Sequence, residues 1–270
     1  MTTLTRLEAY EDERGNKIVY DGIMDQQIQV RFSGSNNTLT LHPQSSLHAL
    51  TAHFDCDNGQ VSIGSTRGVT PLKAYIRVGQ DSTVTIGDNV SNSTTVTISA
   101  VEGTHITIGN DCMLSSQVEI RTDDAHPIFD VRTGKRSNPS RSIRIGNHVW
   151  LAKRSAVLGG ASIADGSVLG FGSILTGKIP NNSIAVGTPA KVVRRDVVWE
   201  RPHLSLREPF YKPDSSSIEK SGYWDLTDEA ELLDPQLPIK AKGKETRWFG
   251  IRIRSLRAKA WRLRRRLLAR

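Results

Sequence analysis

Aliphatic residues recur every six positions through the middle of this chain, unbroken from Ile145 through Leu151, Val157, Ile163 and Leu169 to Leu175. The fifth place of the first five hexads is held by Val149, Ser155, Ala161, Ser167 and Ser173, with polar residues filling most of the rest. A period of six fits neither the 3.6-residue turn of a helix nor the two-residue alternation of a strand. It fits a chain that turns after every short strand. Three hexads make a triangular coil, so Ile145 is expected to stack on Ile163 and Leu151 on Leu169. Neighbouring coils then pair as parallel strands about 4.8 Å apart around an aliphatic column that no single coil could bury. Gly146, Gly166, Gly170 and Gly172 are expected to relieve crowding at corners.

The pattern returns upstream in pieces. Ile86, Asn92 and Ile98 are six apart with Val90 and Val96 in the small position, and Ile108, Leu114 and Ile120 repeat this with Cys112 and Val118. Leu41 with Leu47, and Ile63 with Val69, mark more degenerate coils. Asn92 either joins an asparagine ladder or leaves a poorly filled corner. The register slips by four residues between the upstream blocks, and Ile120 to Ile145 is 25 residues rather than 24, which predicts a bulge. The predicted fold is all-β, a parallel β-helix interrupted by one loop and followed by an irregular C-terminal extension. It divides into coils over 1–195, an extended aromatic and proline-containing segment over 196–250, and a basic tail over 251–270.

The formal charge of +8 belongs to that tail: nine of the 36 basic residues and none of the 28 acidic ones fall in 251–270. Leucines and Trp261 among its arginines permit an amphipathic helix. Such a helix could lie on anionic lipid, steer an anionic polymer or pack on the body; disorder is the fourth reading. The body has neither a basic field nor a nucleic-acid-reading motif, so nucleic acid is not expected as a partner. No run of apolar residues is long enough to span a bilayer and the N-terminus has no apolar export segment. The expectation is a soluble cytoplasmic protein, held at the inner face of the membrane if the tail binds lipid. Cys56 and Cys112 form no disulfide framework and are each expected to be structural or buried. In 196–250, Trp199, Phe210 and Trp224 alternate with prolines, as suits a segment draped over the body, and a short helix is expected from Thr227.

Candidate chemistry concentrates in the interruption, RTDDAHPIFDVRTGKRSNPSRS. It holds His126 among Asp123, Asp124 and Asp130. Histidine takes and returns a proton near neutral pH, and a carboxylate or carbonyl on one ring nitrogen would fix the tautomer. A solvated surface histidine and an Asp/His metal patch are the competing readings, the latter without paired-histidine spacing. Beyond the loop, in IGNHVWLAK, an inward Val149 places His148 and Trp150 on the outer surface, where an exposed tryptophan calls for cover by a subunit or ligand.

The repeats, the DDAHPIFD loop, GNHVWLAKRSAVLGGASIADGSVLGFGSILTGKIP and the terminal AVGTPAKVVRR resemble the hexapeptide-repeat, left-handed β-helix acyltransferases. Within these they are most similar to O-acetyltransferases of bacterial capsular or surface polysaccharide, including those acting on polysialic acid. HPIFD, with the Trp of GNHVW 24 residues after its His, carries that likeness. The resemblance implies left-handed coils, a homotrimer, and acetyl-CoA lying in a cleft between two prisms, with no metal required. It implies His126 as general base on an acceptor hydroxyl and Trp150 beside the thioester, with the backbone of Ala152 and Lys153 following the cofactor groove. Phe171 stands where relatives often have a small residue against the pantetheine arm, and Thr176 matches a threonine near the adenine. Gly177 replaces the usual phosphate-binding lysine, which shifts that role to Lys178 or to Lys191 and Arg194. An oxyanion donor is expected from a backbone N–H near Trp150 or from a neighbouring subunit. Cys112, inward in its hexad, is a weak candidate for an acyl-enzyme. N-acetyl transfer to a nucleotide-linked amino sugar, and a non-catalytic trimeric scaffold or carbohydrate-binding module, are the alternatives.

Overall fold

A computed structural model describes residues 1–202 and 218–225, and its aliphatic residues stack as their spacing predicts. Ile145 pairs with Ile163 and Leu151 with Leu169, each fully buried. The chain visits three sheets in turn: sheet 1 with eight strands, sheet 2 with nine and sheet 3 with six. Pairing within them is parallel except at the ends, where Thr2–Leu4, Tyr10–Glu11 and Ala190–Arg194 add antiparallel strands. The architecture is the left-handed parallel β-helix. Every small residue at the fifth position from Val149 to Ser173 is buried, so the core is one continuous column. Among the described residues no helix is long and apolar enough to cross a membrane.

The register slips have one location. Ile76 to Ile86 and Ile98 to Ile108 each take ten residues, and both steps cross from sheet 1 to sheet 2. The step from Ile120, in sheet 1, to Ile145, in sheet 2, crosses the same corner. The predicted bulge lies here. It is a single corner step carrying a long insertion, and its length falls near four hexads by coincidence.

The corner between sheets 2 and 3 is built differently. Asn89, Asp111, His148, Gly166 and Asn182 form a column with φ of 56°, 58°, 51°, 72° and 49°. Asparagine, aspartate and histidine tolerate this left-handed region better than other side chains, which is why the column is polar. The residue before each is an Asx that ties coils together: Asn110, Asn147 and Asp165 accept from the amides of Asp88, Asn110 and Asn147 at 2.7, 2.8 and 2.7 Å. Gly146 leaves the room, since a Cβ there would lie 2.3 Å from the Asp165 carboxylate. Asn92 is in neither predicted setting: it is buried, and its amide bonds the backbone N–H and C=O of Lys73. Cys112 is buried as expected, whereas Cys56 is exposed at a corner where its backbone carbonyl, not its thiol, bonds Asn37.

After the last strand the chain returns over the corner between sheets 2 and 3. Asn182 holds the carbonyls of Val197 and Tyr223, and Trp199 is buried there. The helix expected from Thr227 and the basic tail lie outside the described residues.

Candidate active site

The insertion leaves the corner between sheets 1 and 2 as a finger. Ser137 N–H bonds the Ile128 carbonyl at 2.8 Å and Asp130 N–H bonds that of Lys135 at 2.9 Å, with Phe129 opposite Arg136. Ile128, Phe129 and Val131 at its tip are exposed. His126 stands at its base, following Ala125 in a left-handed turn (φ 64°) that the buried Asp123 fixes by accepting the Ala125 amide at 2.9 Å. Asn138 crosses the base, donating to the His126 carbonyl at 2.9 Å and to Asp124 at 3.0 Å. The backbone of His126 is thus held while its ring stands exposed, and among the described residues no group hydrogen-bonds that ring. The carboxylates beside it in sequence serve the loop rather than the imidazole.

The finger is fastened to the coil below by Glu102, which accepts from Arg136 at 2.7 Å and from the Ser140 hydroxyl at 2.7 Å. Those bonds, Arg136 first, hold the Glu102 carboxyl down at about 2. A carboxylate depressed in the folded state contributes its full stabilisation above its ordinary value and loses it progressively as pH falls from there through about 2, so this fastening is intact across the neutral range. A cavity of about 410 Å³ lies between the finger and the coils, lined by residues that include Asp123, Asp124, Asn138, Arg141 and Thr176.

The other candidates divide by position. Thr176 and Lys178 are exposed on the same corner as His126, at the sheet 1 to sheet 2 crossing of a later coil. Trp150 points outward from sheet 3 and is partly exposed. Lys153 and Phe171 are exposed at the corner where sheet 3 leads back to sheet 1, and Lys191 and Arg194 are exposed on the strand Ala190–Arg194 of sheet 3. In a triangular coil the corner between sheets 1 and 2 is opposite sheet 3, so one chain holds His126 and Trp150 on opposite sides of the prism. The Ala152 amide is already committed to the Leu169 carbonyl and that of Trp150 to Ser167, both at 2.9 Å. Burial pushes the Cys112 thiol up to about 12, so it is no nucleophile at neutral pH.

His148 departs from the expected outer surface. It points out of the coil, but its ring is 1% exposed because Trp199 and Tyr223 cover its two faces, at 4.0 and 4.3 Å. The partners come from 51 and 75 residues downstream, and no local pattern names them. The signal that did exist was the density of large rings after residue 196.

No family model matches the chain. It is 33% identical over 189 residues to the polysialic acid O-acetyltransferase of Neisseria meningitidis, covering 62% of this chain and 87% of that protein. With the polysialic acid O-acetyltransferase of Escherichia coli O1:K1 it shares 33% identity over 138 residues, 47% of this chain, and it spans less than half of that relative's length, 45%. Among solved structures, the polySia-specific acetyltransferase NeuO superposes with a TM-score of 0.60 at 32% identity over 69% of this chain and 85% of its own. The polysialic acid O-acetyltransferase OatWY gives 0.52 at 29%, over 63% and 90%. The β-helix, the finger at its corner and these likenesses together place the chain among the hexapeptide-repeat acetyltransferases.

Proposed function

We propose that the protein moves an acetyl group from acetyl-CoA to a hydroxyl of a capsular or surface polysaccharide, at sites shared between neighbouring copies in a homotrimer. The observation that carries this reading is the division of the candidate residues. His126, Thr176 and Lys178 share one corner, whereas Trp150, Lys153, Phe171, Lys191 and Arg194 share the opposite sheet and its edge. Side by side around a threefold axis, the corner of one prism faces the sheet of the next, and every candidate side chain then borders one cleft. The lining fits a long phosphate-bearing thioester: Phe171, 65% exposed, offers apolar surface, and exposed cations lie at Lys153, Lys191 and Arg194.

In this reading the exposed His126 ring takes the proton of the acceptor hydroxyl as its oxygen attacks the thioester carbonyl. The tetrahedral oxyanion collapses with cleavage of the carbon–sulfur bond, and the imidazolium returns the proton to the departing thiolate. The oxyanion donor is a backbone N–H near Trp150 or a group of the neighbouring copy, the Trp150 amide itself being bonded to the Ser167 carbonyl. The basic tail, through counterion release or lipid attraction, serves to recruit an anionic polymer or the membrane where it is made.

Purified protein given acetyl-CoA should release CoA only with a saccharide acceptor present and form an alkali-labile acetyl ester, measured over polysialic acid, neutral polysaccharides and nucleotide-linked amino sugars. Amide products confined to the amino sugars would overturn O-transfer, and failure to bind CoA at all would favour a scaffold. The fastening of the finger gives a second expectation. Glu102→Ala releases Arg136 and Ser140, and turnover is expected to fall by up to about 10²-fold through misplacement of His126, with the KM for acetyl-CoA little changed. Unchanged turnover would show that the finger needs no such anchor.

A further inference from the structure

The returning C-terminal segment does more than cover a corner. Trp199 and His148 are bonded reciprocally: the Trp199 indole N–H donates to the His148 carbonyl at 2.9 Å, and His148 Nε2 donates to the Trp199 carbonyl at 2.8 Å. His148 Nδ1 meets Asp111 Oδ2 at 2.6 Å, so both ring nitrogens face oxygen partners. The ring lies between Trp199 and Tyr223, near parallel to both at 11° and 7°. Arg201 locks the far end of the same run, bonding Asp111 at 2.8 Å, Ser91 at 2.6 Å, and the carbonyls of Asn89 and Cys112 at 3.0 Å each. Burial alone would raise the Asp111 carboxyl, but the bonds from His148 and Arg201 outweigh it and hold it below the usual carboxylate range. Segment and prism are therefore joined by buried and part-buried directional contacts on three successive coils.

One of those contacts reaches the proposed active site. The ring of Trp199 also packs against Trp150, centroids 6.1 Å apart and planes tilted by 49°. Trp150 extends outward from sheet 3, between Met113 and Val168 of the neighbouring strands, and is partly exposed. Trp199 is 7% exposed and doubly hydrogen-bonded to His148, so it is a fixed wall against a partly exposed ring. We infer that Trp199 is a positioning residue for acetyl transfer: it sets the orientation of the Trp150 indole, with the His148–Asp111–Arg201 cluster as its anchor. The inference rests on the proposed place of Trp150 beside the thioester. It deepens that reading by making residues after the last coil part of the site's geometry.

A double-mutant cycle tests it. Trp199→Ala is expected to lower kcat/KM for acetyl-CoA by about tenfold while the variant keeps its oligomeric state. Trp199→Phe, which retains a ring against His148 and Trp150, should recover much of that loss and serves as the folded variant if Trp199→Ala is unstable. Trp199→Ala added to Trp150→Ala should cost nothing further, because the first residue acts through the second. Losses that multiply in the double variant would overturn the inference, as would folded Trp199 variants that melt earlier yet turn over normally. Normal kinetics for Trp150→Ala alone would instead remove the reading of Trp150 on which the inference stands, so the two failures are distinguishable.

Discussion

His126→Ala should leave a folded protein of unchanged oligomeric state that binds acetyl-CoA normally and transfers acetyl about 10²–10⁴-fold more slowly. The separation of stability from activity follows from how His126 is held. Its ring is exposed and no described group bonds it, whereas the contacts that order the turn run through the backbone of Ala125 and His126 to Asp123 and Asn138. Removing the imidazole leaves those contacts in place, so the stability change should stay within about 0.5 kcal/mol, as for other exposed positions. A proton acceptor that acts only as the hydroxyl attacks lowers kcat and kcat/KM together. Steady-state kinetics, with unfolding measured alongside, checks both halves. Near-normal turnover in the folded variant would remove His126 as the base.

Trp150→Ala should be the second largest loss, about 10–10²-fold in kcat/KM for acetyl-CoA. The indole leaves the prism between two inward residues, Val149 and Leu151, both fully buried. Its removal therefore opens no hole in the aliphatic column, and folding should survive. What is lost is a ring on the open side of sheet 3, in line with Lys153, Phe171 and the cations of the strand Ala190–Arg194. Affinity for CoA and the transfer rate, measured separately, show which of the two the ring serves.

The coils were legible because each hexad repeats one physical requirement, an aliphatic knob and a small residue at every turn, so that any pair such as Ile145 and Ile163 confirms the rest. Asn92 was harder, because its meaning depends on the strand beside it: its amide serves the Lys73 backbone of another sheet. The insertion was visible as an interruption, but spacing alone cannot show that Ile120 and Ile145 flank a single corner. His126 and Trp150 could be singled out from local composition and likeness. Their placement on opposite sides of one prism could not, because it follows from which corner carries the finger. The clamp on His148 is the least legible feature. A histidine beside the inward-pointing Val149 looks solvent-facing until Trp199 and Tyr223 return to cover it.

On the proposed reading, a working site takes His126 from one copy and Trp150 from another. Mixing the two impaired variants tests it most directly. His126→Ala and Trp150→Ala chains, unfolded together in equal amounts and refolded, or co-expressed, should form mixed trimers in which about one cleft in four pairs an intact His126 with an intact Trp150. Acetyl transfer should then rise well above that of either variant refolded alone, toward about a quarter of the unmutated rate. Activity in the mixture no higher than the average of the two variants, with mixed trimers shown to be present, would contradict the shared site.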